Sequence, residues 1–338
     1  MLELNNEHLE CPNIIMVIGV GGGGINAVNH MYLQEIEGVT FVVSDTDRHQ
    51  LEESPVPNRI LLGTNTTHGQ SSSNNPEVAR RAAEESKSEI AALFDDNIRM
   101  VFIAAGLGGG TGTGAAPIVA RIAREKGVLA IGLVTIPFLF EGEQRKLKAL
   151  AGIEEMSKYV DASFIINNEY LTEIYSDLTS SNAFMKADET LTSAVSSLCG
   201  MITADNKLCL DFNDVGHILH KGGNAFIISG FGSGERRVTK ALENALESPL
   251  LKNCNVFSSK EILIFFYCNP DSESPFLMDE VREVHEFFVE NFDEEVDVIW
   301  GLAFDNNLEE QVKITILATG FNMSFPQPSG LKHENPVP

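Results

Sequence analysis

The segment GLGGGTGTGAAP, Gly106 to Pro117, holds only glycine and threonine between Gly106 and Gly114, apart from Leu107. It ends one apolar run, NIRMVFIAAG, and opens a helical pattern. Glycine lets a backbone approach a ligand closely and adopt positive φ. N–H groups converging at a helix N-terminus bind anions through amides and the helix dipole, without a lysine. Thr111 and Thr113 add hydroxyls. The pattern GxxxxGK[ST] is absent, so a lysine-bearing phosphate loop is excluded. A second loop, Gly19-x-Gly21-x-x-Gly24, stands between another apolar run and another helical pattern. Taken alone it fits the dinucleotide fingerprint, with Asp45 where that fingerprint wants a ribose-binding acid. A nicotinamide-dependent oxidoreductase is therefore one reading. A dinucleotide fold has a single phosphate loop, however, and this chain has two. Either both are tight turns, or both strand ends serve one anion.

The elements that must hold these loops alternate. Strands are expected at 13–20, 38–45, 58–63, 97–106, 127–136 and 161–167. Helices are expected at 24–34, 76–94, 112–126 and 143–158, with Asn75 capping and Pro76 in the first turn of the second. TNTTHGQSSSNN reads as a polar loop. Strands alternating with helices imply a mostly parallel, doubly wound α/β sheet. A long helix follows at 182–203. Beyond it, GNAFIISGF, EILIFFYC, EVDVIWGLA and QVKITILATG read as strands, with helices near 235–246 and 276–291, an α+β pattern. The Pro-rich polar end reads as a disordered tail.

Composition narrows the classes. The 338 residues suffice for two domains, and 43% are hydrophobic. A net charge of −24 argues against nucleic-acid binding and against contact with anionic lipid. Five scattered cysteines (Cys11, Cys199, Cys209, Cys254, Cys268) without CxxC spacing fit a reducing cytosol better than zinc or disulfides. The N-terminus is no secretory signal, and the apolar runs are far below the roughly 20 residues that span a bilayer.

GVGGGGINAVN, GLGGGTGTGAAP, FEGEQR, AFMKADETL and LDFNDV, in this order, resemble the FtsZ family, relatives of tubulin. The resemblance runs from about residue 13 to about 321. It implies an N-terminal extension (1–12), a GTP-binding domain (13–181), a central helix (182–204), a C-terminal α+β domain (205–321) and a tail (322–338). Gly21, Gly22 and Gly23, with Gly108, Gly109, Gly110, Thr111, Gly112, Thr113 and Gly114, would wrap the phosphates of GTP. Glu141 and Arg145 would hold the ribose; at i,i+4 they are equally a surface ion pair. Asp188 would accept from guanine N1–H and the 2-amino group, Asn167 would face O6 or N7, and Phe184 would stack on the base. Mg²⁺ would bind mainly through GTP phosphates. Asp211 and Asp214 would act in trans on the GTP of the neighbouring subunit, although Asp211 is also a natural helix cap.

The resemblance thus implies an assembly-dependent GTPase that forms head-to-tail filaments for bacterial cell division. It would be cytoplasmic, at the division site, with membrane-tethering and other division proteins as partners and no insertion into the membrane itself. A diverged relative with little hydrolysis is the alternative. Several positions depart from the family pattern. Asp45-Thr46-Asp47 replaces Asn-Thr-Asp, and Ser71-Ser72-Ser73-Asn74 replaces a glycine-rich loop. Asn167-Asn168 replaces Asn-Asp, Cys209 replaces an Asn, and PSGLKHENPVP does not match the hydrophobic-basic peptide that ends the family pattern; either the sequence stops short of it or partners are engaged differently. An extra carboxylate at Asp45 should repel phosphates unless Mg²⁺ intervenes.

Overall fold

The computed structural model describes residues 13–175, 179, 182–203, 210–252, 254–272, 275–292 and 296–323. The expected extension at 1–12, Cys209 and the tail from 324 onward lie outside the described residues.

Ten strands form one sheet in the order β3-β2-β1-β4-β5-β6-β7-β10-β8-β9. They are β1 (Ile15–Val20), β2 (Val39–Asp45), β3 (Asn58–Leu61), β4 (Met100–Gly106) and β5 (Leu129–Ile136), then β6 (Ala162–Asn167), β7 (Gly223–Gly232), β8 (Glu261–Cys268), β9 (Asp297–Phe304) and β10 (Val312–Thr319). The first six pair in parallel. Beyond them β10 is antiparallel to β7 and β8. The two expected units are not separate sheets: β6 pairs in parallel with β7 from Ala162–Gly223 to Phe164–Ala225. That pairing covers part of an edge that would otherwise expose backbone polar groups.

The helices are α1 (Gly21–Leu33), α2 (Arg48–Glu52), α3 (Thr64–Thr67), α4 (Pro76–Glu85), α5 (Lys87–Leu93) and α6 (Thr111–Glu125). The rest are α7 (Glu143–Met156), α8 (Leu171–Ile174), α9 (Ala183–Thr203), α10 (Phe212–Leu219), α11 (Arg237–Leu246) and α12 (Met278–Asn291). One face of the parallel sheet is buried by α1, α9 and α10, the other by α4 to α7. Both faces being covered, the strands read as continuous apolar runs. In β8 the alternation persists between two cores: Leu263 and Phe265 pack with α9, while Ile262, Ile264 and Phe266 pack with α11 and α12.

Helix α9 joins the halves. Leu191, Val195, Leu198 and Cys199 recur at helical spacing, and all are buried. They share one core with Val17 and Phe102 on the N-terminal side and Leu263 and Leu317 on the other. Each such burial is worth about 1.5–3 kcal/mol against exposure, so α9 couples both halves by apolar contact.

Two expectations fail locally. The single helix expected at 76–94 breaks at Ser86, whose ψ is 16° and whose Oγ accepts the Gly63 N–H at 3.0 Å. The polar loop contains helix α3, clamped by Glu85. Its Oε1 accepts the Asn65 N–H at 2.8 Å and its Oε2 accepts the Thr66 hydroxyl at 2.7 Å. These donors pull the Glu85 carboxyl down to about 2.

Close backbone contact sets the depth of α1. A Cβ on Gly24 would lie 2.2 Å from the carbonyl oxygen of Ala104 on β4. Gly24→Ala should therefore destabilise the protein by about 1–3 kcal/mol, the cost of overpacking. Denaturant unfolding with an unchanged slope checks this.

Candidate functional site

A cavity of about 590 Å³ opens at the C-terminal ends of the parallel strands, where doubly wound folds bind ligands. Both glycine loops enter it: Gly22, Gly23, Gly109, Gly110, Thr111 and Gly112 line the wall. The loops touch back to back. Gly21 has φ +75°, and a Cβ there would lie 2.6 Å from the Gly112 nitrogen. No side chain larger than glycine fits that junction. The N-termini of α1 and α6 therefore deliver unpaired N–H groups to one space.

Four residues expected on the phosphates, Gly21, Gly108, Thr113 and Gly114, stand outside the cavity wall. Gly108 is absent from the wall, and its N–H donates to Thr113 Oγ1 at 2.9 Å. Thr113 is thereby spent inside the loop rather than offered to a ligand. Gly114 faces α4, where a Cβ would lie 1.9 Å from the Pro76 carbonyl oxygen. Gly21 likewise acts by close packing and is not in the wall.

Thr111 is the hydroxyl that reaches the site. Its Oγ1 lies 3.2 Å from both Asp45 Oδ1 and Thr46 Oγ1, and 3.1 Å from Ser72 Oγ. Two of the departures from the family pattern, Asp45 and Ser72, are thus parts of one buried network. Burial pushes the Asp45 carboxyl up, opposed by hydrogen bonds from Asp47, Thr46 and Thr111. Ser73 and Asn74 take φ of 53° and 58° without being glycine. The loop keeps a left-handed path at a cost of about 1–2 kcal/mol per residue, and Lys148 Nζ holds the Asn74 carbonyl at 2.9 Å.

At the opposite end of the cavity stand Phe184 and Asp188, one helical turn apart on α9. Phe184 is exposed and meets Phe138 edge-on at 5.4 Å. Burial alone pushes the Asp188 carboxyl up to about 7. Glu141 and Arg145 also line the wall, joined by an ion pair of 2.7 Å. Arg145 is exposed, while Glu141 is mostly buried and its Oε1 also accepts the Phe138 N–H at 3.0 Å, which fixes its place in the wall.

Asn167 is not in the wall, a correction to the sequence reading. Its side chain accepts the Glu169 N–H at 3.1 Å, capping a short turn. Asn168 stands in the wall instead, 4% exposed, with Oδ1 unpaired. A buried amide without a partner is costly, which suits a group waiting for a ligand. The repeated Asn-Asn hid the one-residue shift.

Asp211 and Asp214 do not approach the cavity. Asp211 caps α10, accepting from the Asn213 and Asp214 N–H groups, while Asp214 Oδ2 accepts the Asp211 N–H at 2.9 Å. The cap holds the Asp211 carboxyl below its usual range. Arg99, just before β4, fixes this end. Its Nη2 donates to Asn213 Oδ1 at 2.9 Å, and its guanidinium sits 4.0 Å above the Phe212 ring. Strand β4 runs from there to Gly106 in the cavity wall, roughly 20 Å at strand rise. Sequence reasoning missed Arg99 because its partners are more than a hundred residues away.

Residues 14–176 match the family model for the Tubulin/FtsZ family, GTPase domain, and residues 223–322 that for the FtsZ family, C-terminal domain. A cell division protein FtsZ of Porphyromonas gingivalis is 47% identical over 324 residues, covering 96% of this chain and 70% of that one. That of Caulobacter vibrioides is 41% identical over 91% of this chain and 60% of its own length. Among solved structures, an FtsZ dimer of M. jannaschii has a TM-score of 0.80 at 35% identity, covering 94% of each chain. A CetZ2 protofilament of Haloferax volcanii, with GTPγS bound, shares the fold at a TM-score of 0.77 and 19% identity.

A guanine edge presents two donors, so the role expected of Asp188 requires its carboxyl to be ionised to accept both. Its folded carboxyl titrates near 7. Guanine-nucleotide affinity should therefore fall as pH drops below about 7 and level off above it, by about tenfold per unit at the limit. Equilibrium titrations between pH 5.5 and 8.5 check the sign.

Proposed function

The chain belongs to the FtsZ family, and on that premise we propose that it binds GTP between its two glycine loops and forms head-to-tail filaments for cell division. Hydrolysis is completed by the next subunit. The observation that carries this reading is the separation along β4. The phosphate loops and the acids of α10 stand at opposite ends of one rigid strand. A subunit's own Asp211 and Asp214 cannot reach its own cavity, whereas those of a subunit stacked head to tail can. Such a contact does not close on itself and gives filaments.

The geometry supports the following roles. The loop amides bind the phosphates, and Thr111 adds a hydroxyl. Glu141 and Arg145 hold the ribose. Asp188 accepts from guanine, Asn168 faces O6 or N7, and Phe184 stacks on the base. A site of hydrogen-bonding groups rejects the wrong purine, because its own groups would be left unpaired. Asp211 and Asp214 from the neighbour accept hydrogen bonds from the attacking water and align it with the γ-phosphorus. A carboxylate held below its usual range is a weak base, so alignment outweighs proton abstraction for Asp211. Mg²⁺, when bound, neutralises charge on the phosphate oxygens.

The dinucleotide reading of the first loop falls away, because both loops serve one cavity and the matched family is one of GTPases. Among the described residues no helix is long and apolar enough to cross a membrane. We place the protein in the cytoplasm at the division site, recruited there by tethering partners.

GTP turnover per subunit should rise steeply with protein concentration. Asp214→Ala should keep GTP bound and lower turnover by about 100-fold or more. Phosphate release alongside equilibrium binding checks both; turnover per subunit that ignores concentration would sink the trans site.

A further inference from the structure

We propose that Asp45 is a direct ligand, through Oδ2, for a divalent cation that enters the cavity together with the nucleotide phosphates. This rests on the reading of the cavity as a GTP site.

The charge of the wall motivates it. Asp45, Asp47, Glu141 and Asp188 line the cavity, and Arg145 is the one cationic side chain among the lining residues. Arg145 is already paired with Glu141, and Asp188 lies at the base end. Asp45 and Asp47 therefore face the phosphate end with no basic side chain to balance them. A polyanion and two carboxylates do not share such a space without a counter-charge.

The orientation of Asp45 says where that charge sits. Oδ1 accepts from the Thr46 hydroxyl at 3.3 Å, the Thr111 hydroxyl at 3.2 Å and the Asp47 N–H at 3.1 Å, and the Thr46 N–H is a further donor to the carboxylate. Among the described residues no side-chain donor reaches Oδ2. Yet the residue is only 4% exposed and lines the cavity, so Oδ2 is the atom left to face it. The donors favour the ionised form and burial opposes it, so a cation beside Oδ2 would offset the cost of holding a charged carboxylate there. Ser72 locks the arrangement through Thr111.

The chemistry fits a hard cation. Mg²⁺ is usually held by one or two carboxylates plus substrate phosphates and several waters, not by an all-protein cage. Among the described residues no group of three His, Cys, Asp or Glu side chains forms such a cage. Asp45 and the phosphates would each supply what the other lacks. Cation and nucleotide must then strengthen each other's binding by the same factor.

The test compares wild type with Asp45→Asn, which keeps an acceptor oxygen for the three donors. A non-hydrolysable GTP analogue is titrated below the concentration of assembly, in excess Mg²⁺ and in EDTA. In Mg²⁺ the variant should bind about fivefold or more weakly. In EDTA it should bind as tightly as wild type or more so, which also shows that it folds. Mn²⁺ substituted for Mg²⁺, with free Mn²⁺ counted by electron paramagnetic resonance, should be retained less by the variant's complex. A variant that binds the analogue in Mg²⁺ as well as wild type does overturns the inference, since a carboxylate that merely repels would improve binding when removed. If Asp45→Asn fails to fold, Asp45→Ser is read the same way. Wild type that binds the analogue in neither condition overturns the GTP reading of the cavity, and this inference with it.

Discussion

Strand β4 imposes the constraint on which the rest of the molecule depends. It is hydrogen-bonded on both sides, by β1 and β5, and all but its last residue are buried. At one end it delivers Gly106 and the phosphate loop; at the other, the preceding Arg99 holds the turn that carries Asp211 and Asp214. The proposed binding groups and the proposed hydrolytic groups are thus kept apart in the monomer. In the proposed filament, stacking subunits along that direction would bring the two sets together. Assembly and chemistry would then be coupled by geometry.

The site also shows how an acidic protein holds a polyanion. With a net charge of −24 the chain has little positive field to draw a nucleotide in. Its means are backbone amides at two helix N-termini, brought together because Gly21 and Gly112 carry no side chains. Amide dipoles act at short range and leave the carboxylates of the wall unneutralised. Asp45, Thr111 and Ser72 form one network at the point where that imbalance is largest. The two substitutions among them are best understood as a matched pair.

Much of this was legible in the sequence. The ordered motifs placed both glycine loops, and β8 was read to the residue because its apolar run has turn residues on either side. Fold class followed from alternation. What escaped had non-local causes. Ser86 breaks a helix by accepting from Gly63, and nothing near Ser86 announces that partner. Thr113 resembles Thr111 in sequence, yet only the return of the loop onto Gly108 decides which hydroxyl is internal. Asn167 and Asn168 differ only in which one the short turn recruits as its cap. The pairing of β6 with β7, which makes one sheet of two units, leaves no local mark at all.

The central claim is that each active site is shared between subunits, and a mixing experiment tests it most directly. Asp214→Ala subunits have an intact cavity and defective acids; Asp188→Asn subunits have intact acids and a cavity that no longer accepts guanine. Each alone should release little phosphate from GTP. The account predicts that mixing them restores turnover, because the GTP of one meets the acids of the other. Turnover of the mixture no greater than the sum of the two separate preparations would contradict it.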